Sequence, residues 1–73
     1  MNSYIMFTAP WCGKCKQVKA ELDAKGVGYL VDYLDVQTTL SDYLEEHNVR
    51  GLPHFLINNK TVTKEEFVEA LLA

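Results

Sequence analysis

Apolar residues along the chain follow two patterns in turn, which predict alternating strands and helices. The run from Ser3 to Phe7 contains aromatic and β-branched residues and predicts the first strand. Apolar residues then recur every three or four positions from Cys12 onward, which predicts a helix that ends at Gly26 with a glycine cap. The buried stripe of this helix is expected to consist of Cys15, Val18 and Leu22.

The middle of the chain predicts a second strand and a second helix. From Gly28 to Val36 the apolar residues are almost continuous, which is typical of a strand buried on both faces. A helix is predicted from Thr39 to His47, and the spacing of Thr39 and Asp42 indicates a capping box at its start. Its apolar side is expected to carry Leu40, Tyr43 and Leu44.

The last third predicts a hairpin followed by a helix. An Asn-Asn pair at 58–59 separates the β-prone runs 55–57 and 60–62, and asparagine tolerates the positive φ of a tight turn. Thr63 and Glu66 stand at the spacing of another capping box, so the last helix should begin there.

The order of elements is therefore strand, helix, strand, helix, strand, strand, helix. It predicts an α/β fold in which a four-stranded mixed sheet (β-α-β-α-β-β-α) carries three helices on its faces. No repeat, linker or low-complexity segment divides the sequence, so residues 1–73 are expected to form one domain.

Composition and charge argue against several classes of function. The 73 residues are 48% hydrophobic and 23% charged, as in an ordinary globular domain. A net charge of −3 provides no basic excess for nucleic acid, and no apolar run approaches the roughly 20 residues of a membrane helix. The first seven residues lack the basic and long apolar regions of a signal peptide, so we expect a cytoplasmic protein.

Cys12 and Cys15 lie three residues apart at the start of the first predicted helix. The amides and the positive dipole end of a helix N-terminus favour a thiolate, so Cys12 is expected to be the nucleophile. Cys15 belongs to the buried stripe and lies within reach of the first sulfur, so it is expected to be the resolving thiol. A disulfide between them closes too short a loop to stabilise the fold through chain entropy, which points to a chemical role.

Two motifs resemble those of the thioredoxin and glutaredoxin family. Trp-Cys-Gly-Lys-Cys at 11–15 is similar to the thioredoxin active site Trp-Cys-Gly-Pro-Cys, with Lys14 in place of the proline. Val-Arg-Gly-Leu-Pro at 49–53 resembles the loop that carries the family's cis-proline. The resemblance implies the thioredoxin fold at a glutaredoxin-like length, with a cis bond before Pro53 facing the disulfide. We expect a substrate-facing rim that consists of Trp11, Leu52 and Pro53.

Three further side chains are candidates for tuning the reactivity of Cys12. Lys14 and Lys16 place positive charge near the sulfur, and Lys16 is four residues from it on one helical face, so both should favour the thiolate. A more stable thiolate makes the disulfide more oxidising, so we expect weaker reducing power than the Gly-Pro pattern gives. His54 is either a solvated strand residue or a group whose titration acts on the thiolate.

Two positions depart from the family pattern. Thioredoxins have a buried aspartate six residues before the first cysteine, where this chain has Met6. Asp32 is either a buried substitute that serves Cys15 as a base or a solvated edge residue. Glutaredoxins hold glutathione partly through a Gly-Gly-x-x-Asp stretch, where this chain has Thr-Lys-Glu-Glu at 63–66. Side chains at these positions should obstruct the tripeptide.

Metal binding is the main alternative use of the cysteine pair. A zinc site would need four ligands, and only His47 and His54, on different predicted elements, could complete the set. A shared iron–sulfur cluster would need further thiolates from another molecule. We therefore expect no metal and no cofactor beyond the redox-active disulfide.

The sequence thus predicts a monomeric dithiol–disulfide oxidoreductase that reduces disulfides in protein substrates. The family resemblance implies a reductase such as thioredoxin reductase as electron donor and, as one target, ribonucleotide reductase. A glutathione-dependent glutaredoxin is the alternative enzyme. A non-catalytic module that carries an iron–sulfur cluster or docks a partner is the alternative from another class.

Overall fold

The structure is a computed structural model that describes residues 2–73. Its strands and helices follow one another in the predicted order. The elements are β1 (Tyr4–Thr8), α1 (Gly13–Ala24), β2 (Asp32–Asp35), α2 (Ser41–Glu46), β3 (His54–Ile57), β4 (Lys60–Val62) and α3 (Lys64–Leu72). The sheet has the strand order β2-β1-β3-β4, with β1 parallel to β2 and antiparallel to β3, and β3 antiparallel to β4. The predicted α/β fold with a mixed four-stranded sheet is confirmed. Within residues 2–73, the helices are all too short or too polar to cross a membrane.

The main core lies between the sheet and the helices α1 and α3. Alternate residues of a strand face opposite sides of a sheet, and Met6 of β1 and Phe55 of β3 face these helices. Phe67 of α3 is fully buried, and its ring centroid lies 4.8 Å from that of Phe55. The buried cluster consists of Met6, Cys15, Val18, Leu22, Val31, Phe55, Phe67 and Leu71. It includes the whole predicted stripe of α1, which therefore holds the cysteine-bearing helix on the sheet.

The opposite face of the sheet is covered by the short helix α2. Phe7 and Leu56 are fully buried, and the Phe7 ring lies 5.9 Å from the ring of Tyr43 in α2. Helix α2 itself contributes only exposed and half-buried side chains. Helix α2 therefore buries fewer of its side chains against the sheet than α1 and α3 do.

Turns and caps follow the sequence prediction at three places. Gly26 has a φ of 73° just after α1, and Asn58 and Asn59 have φ values of 51° and 67° in the hairpin between β3 and β4. The Glu66 amide donates to the Thr63 hydroxyl at 3.1 Å, and the Thr63 amide donates to the Glu66 carboxylate at 3.0 Å. This is the predicted capping box. Its hydrogen bonds lower the pKa of the Glu66 carboxyl.

The prediction of a strand from Gly28 to Val36 that is buried on both faces is wrong. Residues Gly28–Leu30 form a single turn of 3-10 helix, in which Tyr29 is 84% exposed. Only Asp32–Asp35 pairs with β1, and this strand is an edge of the sheet without a fully buried side chain. A continuous apolar run does not distinguish an interior strand from a turn and an edge strand, because the pairing partners are set elsewhere in the chain.

The predicted capping box of Thr39 and Asp42 is also wrong. Helix α2 begins at Ser41, with Leu40 at the N-cap position and no side-chain cap. The Thr39 hydroxyl instead donates to the carbonyl oxygen of Asp35 at 2.8 Å, in the turn that follows β2. Leu40 is 79% exposed, so it does not belong to the apolar side of this helix.

Candidate active site

A disulfide joins Cys12, in the loop between β1 and α1, to Cys15, in the first turn of α1. Their Cα atoms are 5.3 Å apart. The loop between the two elements is closed by a hydrogen bond of 3.1 Å from the Cys12 amide to the Ala9 carbonyl oxygen. Cys12 is half-buried, whereas Cys15 is fully buried in the core. A large substrate can therefore reach one residue of the pair and not the other.

The sulfur of Cys12 caps the N-terminus of α1. Cys12 has an extended backbone, with φ of −87° and ψ of 101°, as N-cap residues usually do. The backbone amide of Cys15 donates to the Cys12 Sγ at 3.1 Å. In the reduced protein, an amide donor and the positive end of the helix dipole both favour a thiolate at this sulfur. The first turn of α1 contains no acidic residue that would oppose this effect.

The residues predicted to face the substrate surround the start of α1. Trp11 directly precedes Cys12 and is 67% exposed, so it is not a core aromatic. The peptide bond between Leu52 and Pro53 is cis, as the resemblance implied, and both residues are half-buried. Leu52 and Cys12 pack against the same core cluster. Leu52 and Pro53 also line one groove with Lys14, so the loop before β3 lies beside the cysteine-bearing turn.

A groove of about 430 Å³ runs from the first turn of α1 to the start of α3. The side of the groove formed by α1 consists of Lys14, Gln17, Val18 and Glu21. The opposite side consists of Leu52, Pro53, Phe55 and Lys64. Lys14, which stands between the cysteines, marks the end of the groove nearest the disulfide. Lys16 is exposed and does not line the groove.

Glu21 and Lys64 form an ion pair at the other end of this groove. The Lys64 Nζ lies 3.1 Å from the Glu21 Oε1, and the two side chains are 42% and 38% exposed. Lys64 belongs to the segment that stands where glutaredoxins have their glycine stretch, and it lines the groove. Glu21 was not singled out from the sequence. The sequence feature that could have identified Glu21 is its position seven residues after Lys14, on the same face of a predicted helix.

The structure does not bring His54 to the disulfide. His54 precedes Phe55 in β3, so its side chain faces the sheet surface opposite the core cluster. Its ring centroid lies 5.7 Å from that of Phe7, and its Nε2 lies 3.2 Å from the Thr61 hydroxyl. Burial lowers the pKa of His54, and the nearby charge of His47 lowers it further. A change in the charge of His54 therefore affects groups on the α2 side of the sheet, such as His47, and not the thiolate.

Neither Met6 nor Asp32 supplies an ionised base for Cys15. Met6 is fully buried in the same core cluster as Cys15, and Asp32 is an exposed residue of the edge strand β2. The neighbouring Tyr33 hydroxyl is buried and has no hydrogen-bond partner within residues 2–73. Burial, and then the charge of Asp23, raises the pKa of Tyr33. This phenol stays protonated near neutral pH.

Metal ligands are not assembled in the part of the chain that the structure describes. Residues 2–73 contain no group of three or more His, Cys, Asp or Glu side chains placed to hold a metal ion. Cys15 lies in the core, and His54 lies on the far side of the sheet. The zinc ligand set that the sequence left open is therefore not brought together.

Comparison with known proteins identifies the family. A family model described as thioredoxin matches residues 2–72. No curated protein sequence matches the chain. Among solved structures, the chain is similar to the germline-specific thioredoxin Deadhead from Drosophila melanogaster, with a TM-score of 0.56 and 22% sequence identity. The likeness covers 97% of this chain and 77% of that one, and it shows the thioredoxin fold. The chain belongs to the thioredoxin family, whose members exchange thiols and disulfides through a redox-active cysteine pair.

Proposed function

We propose that this protein is an electron carrier that reduces disulfides in protein substrates, with Cys12 as the nucleophile and Cys15 as the resolving thiol. One observation carries the proposal: the half-buried Cys12 caps a helix with its sulfur, and its disulfide partner is fully buried. Exchange through a mixed disulfide needs an accessible attacking thiolate followed by a sheltered resolving thiol. The geometry supports both roles.

The reaction begins from the dithiol. The Cys12 thiolate attacks one sulfur of the substrate disulfide, a bond forms between the two sulfurs, and the other substrate sulfur leaves as a thiolate. Cys15 then attacks the Cys12 sulfur, which releases the second substrate sulfur and forms the bond between Cys12 and Cys15. Cys15 must lose its proton to attack, because the thiolate is the nucleophile. A substrate thiolate released in the reaction takes up a proton, so the protons balance over the two steps. Two electrons pass to the substrate, and the protein ends as the disulfide.

Trp11, Leu52 and Pro53 are proposed to form the rim against which the substrate rests. Exposure of an indole beside the nucleophile supports this role, because aromatic side chains contribute large contact areas at low entropic cost. Lys14 and Lys16 are proposed to favour the Cys12 thiolate through their charge. His54 is not included, because its ring packs on the other side of the sheet.

Turnover with insulin as substrate tests the function and its electron donor together. One assay supplies NADPH and thioredoxin reductase, and the other supplies NADPH, glutathione and glutathione reductase. We expect turnover in the first system. Faster turnover in the second would favour a glutathione-dependent glutaredoxin. Absence of turnover in both, with both thiols shown to be reduced, would overturn the proposal in favour of a binding module, and visible absorbance of the purified protein would identify a cluster carrier.

Two serine variants test the division of labour between the sulfurs. Cys12→Ser should abolish reduction, because no accessible thiolate remains. Cys15→Ser should accumulate a stable mixed disulfide with the substrate, because the resolving attack is lost. Lys60→Gln, an exposed substitution in β4, is the control and should retain wild-type turnover. Equal alkylation rates of the two thiols in the reduced wild-type protein would contradict the assigned roles.

The proposed setting is the cytoplasm, where glutathione and thioredoxin systems keep dithiols reduced. A monomer that receives electrons from thioredoxin reductase is the simplest form of such a carrier. We propose ribonucleotide reductase as one of the protein substrates. Incubating Cys15→Ser with an oxidised target and recovering the mixed disulfide would identify the partner directly.

A further inference from the structure

The groove beside the disulfide carries charges that differ from those of the whole chain. The protein has 10 acidic residues, 7 lysines and arginines, and a net charge of −3. The groove instead has Lys14 at the end near the cysteines and Lys64 at the other end, with Glu21 as its one acidic lining residue. With two lysines and one glutamate, the groove carries a net positive charge on a protein that is negative as a whole, which favours negative charge in a segment that lies along it.

The length of the groove limits where that charge would lie. Lys14 and Glu21 are seven residues apart on α1, which corresponds to about 10 Å along a helix. An extended peptide covers the same distance with about three residues. A substrate segment whose cysteine reaches Cys12 would therefore place the residues within about three positions of that cysteine beside Lys14 and Lys64.

Glu21 moderates this selection. Its carboxylate lies 3.1 Å from the Lys64 Nζ, and both side chains remain more than a third exposed. An ion pair that is open to solvent is weak and exchanges partners readily. A carboxylate from a substrate can therefore compete with Glu21 for Lys64 at little cost in free energy.

We propose that this groove recognises an acidic segment of the protein substrate, within about three residues of the cysteine that Cys12 attacks. The inference rests on the proposed function and adds to it a preference among substrates. The apolar side chain of Leu52 would contact the peptide backbone, and Lys14 and Lys64 would pair with the peptide's carboxylates. Glu21 would act as a built-in competitor that limits the preference.

Single-turnover reduction of two matched peptides tests the preference. Each peptide carries one cysteine in a mixed disulfide with thionitrobenzoate, and the three residues beside the cysteine are Glu in one peptide and Gln in the other. Rates with dithiothreitol correct for the intrinsic reactivity of each disulfide. The corrected ratio of rates, acidic to neutral, should be about two- to fivefold for the wild-type protein, the size of an exposed ion pair. The ratio should approach one at high salt.

Three variants separate recognition from structure. Lys64→Gln should lower the preference, with Lys14 left as the remaining cation, and Glu21→Gln should increase it by about two- to fivefold. A purely structural role of the ion pair would make both substitutions act in the same direction. Lys25→Gln, which removes a lysine at the far end of α1, is the matched control and should leave the ratio unchanged.

The outcomes also distinguish the two proposals. Reduction of both peptides at equal corrected rates, or equal effects of Lys64→Gln and Lys25→Gln, would overturn groove recognition and leave the proposed function intact. Failure to reduce either peptide would overturn the proposed function itself, and the groove inference with it.

Discussion

Replacing Lys14 with glutamine should make the cysteine pair a stronger reductant. Lys14 is an exposed residue in the first turn of α1, between the two cysteines. We expect its charge to favour the Cys12 thiolate and therefore the reduced state, in addition to the helix dipole and the hydrogen bond from the Cys15 amide. Without that charge the dithiol is less stable relative to the disulfide, so the reduction potential should become more negative.

The size of the shift follows from the exposure of this side chain. One exposed charge contributes at most about 1 kcal/mol. For a two-electron couple, 1.4 kcal/mol corresponds to about 30 mV, so the potential should fall by no more than about 20 mV. That is about a fivefold change in the equilibrium constant with glutathione, which is large enough to measure.

Redox equilibration in glutathione buffers, with Trp11 fluorescence as the signal, measures this constant. Trp11 is the one tryptophan of the chain and directly precedes Cys12. The pH midpoint of thiolate absorbance should rise in the same variant. Lys14→Pro provides the backbone comparison: the Lys14 amide makes no backbone hydrogen bond within residues 2–73, so proline removes the charge without breaking one. A more oxidising Lys14→Gln protein, or a lower thiolate midpoint, would refute the electrostatic reasoning.

Three predictions concern stability, each measured by chemical denaturation. Thr63→Ala removes the hydroxyl that accepts from the Glu66 amide and should lower the free energy of unfolding by about 1 kcal/mol; an unchanged denaturation midpoint would contradict the cap. Burial lowers the pKa of His54 below 6.5, so the unfolded chain takes up this proton at a higher pH than the folded protein does. The free energy of unfolding should therefore fall as the pH drops below 6.5 and recover above it. His54→Gln should weaken this pH dependence. Tyr33→Phe removes a buried hydroxyl that has no hydrogen-bond partner within residues 2–73, and it should keep or raise the free energy of unfolding; a clear loss would contradict this reading of the hydroxyl.

Several features that depend on neighbouring residues could be predicted from the sequence, although the equally local capping box of Thr39 and Asp42 was wrong. The capping box of Thr63 and Glu66 and the Asn58-Asn59 turn each need only a few adjacent side chains and backbone angles. The sheltered position of Cys15 followed from helical spacing, because the apolar stripe of α1 fixes which side of the helix faces the sheet.

Features that depend on distant partners could not be predicted. The edge position of β2 follows from which strands pair with β1, and nothing inside Gly28 to Val36 specifies that pairing. The side of the sheet that His54 faces changes with a single-residue shift of register. The ion pair of Glu21 and Lys64 joins residues 43 positions apart, so only the assembled fold reveals it.

The burial of Cys15 has a consequence for damage by peroxide. An oxidant that reaches the reduced protein meets the Cys12 thiolate first and converts it to a sulfenic acid. The Cys15 thiol, fully buried behind it, is shielded from the same attack yet close enough to condense with the sulfenic acid, which expels water and forms the disulfide. Further oxidation of Cys12 to the irreversible sulfinic acid must compete with this intramolecular step. The buried sulfur thus protects the more accessible one, and mild oxidation returns the protein to the disulfide, the form that the proposed electron donor would reduce.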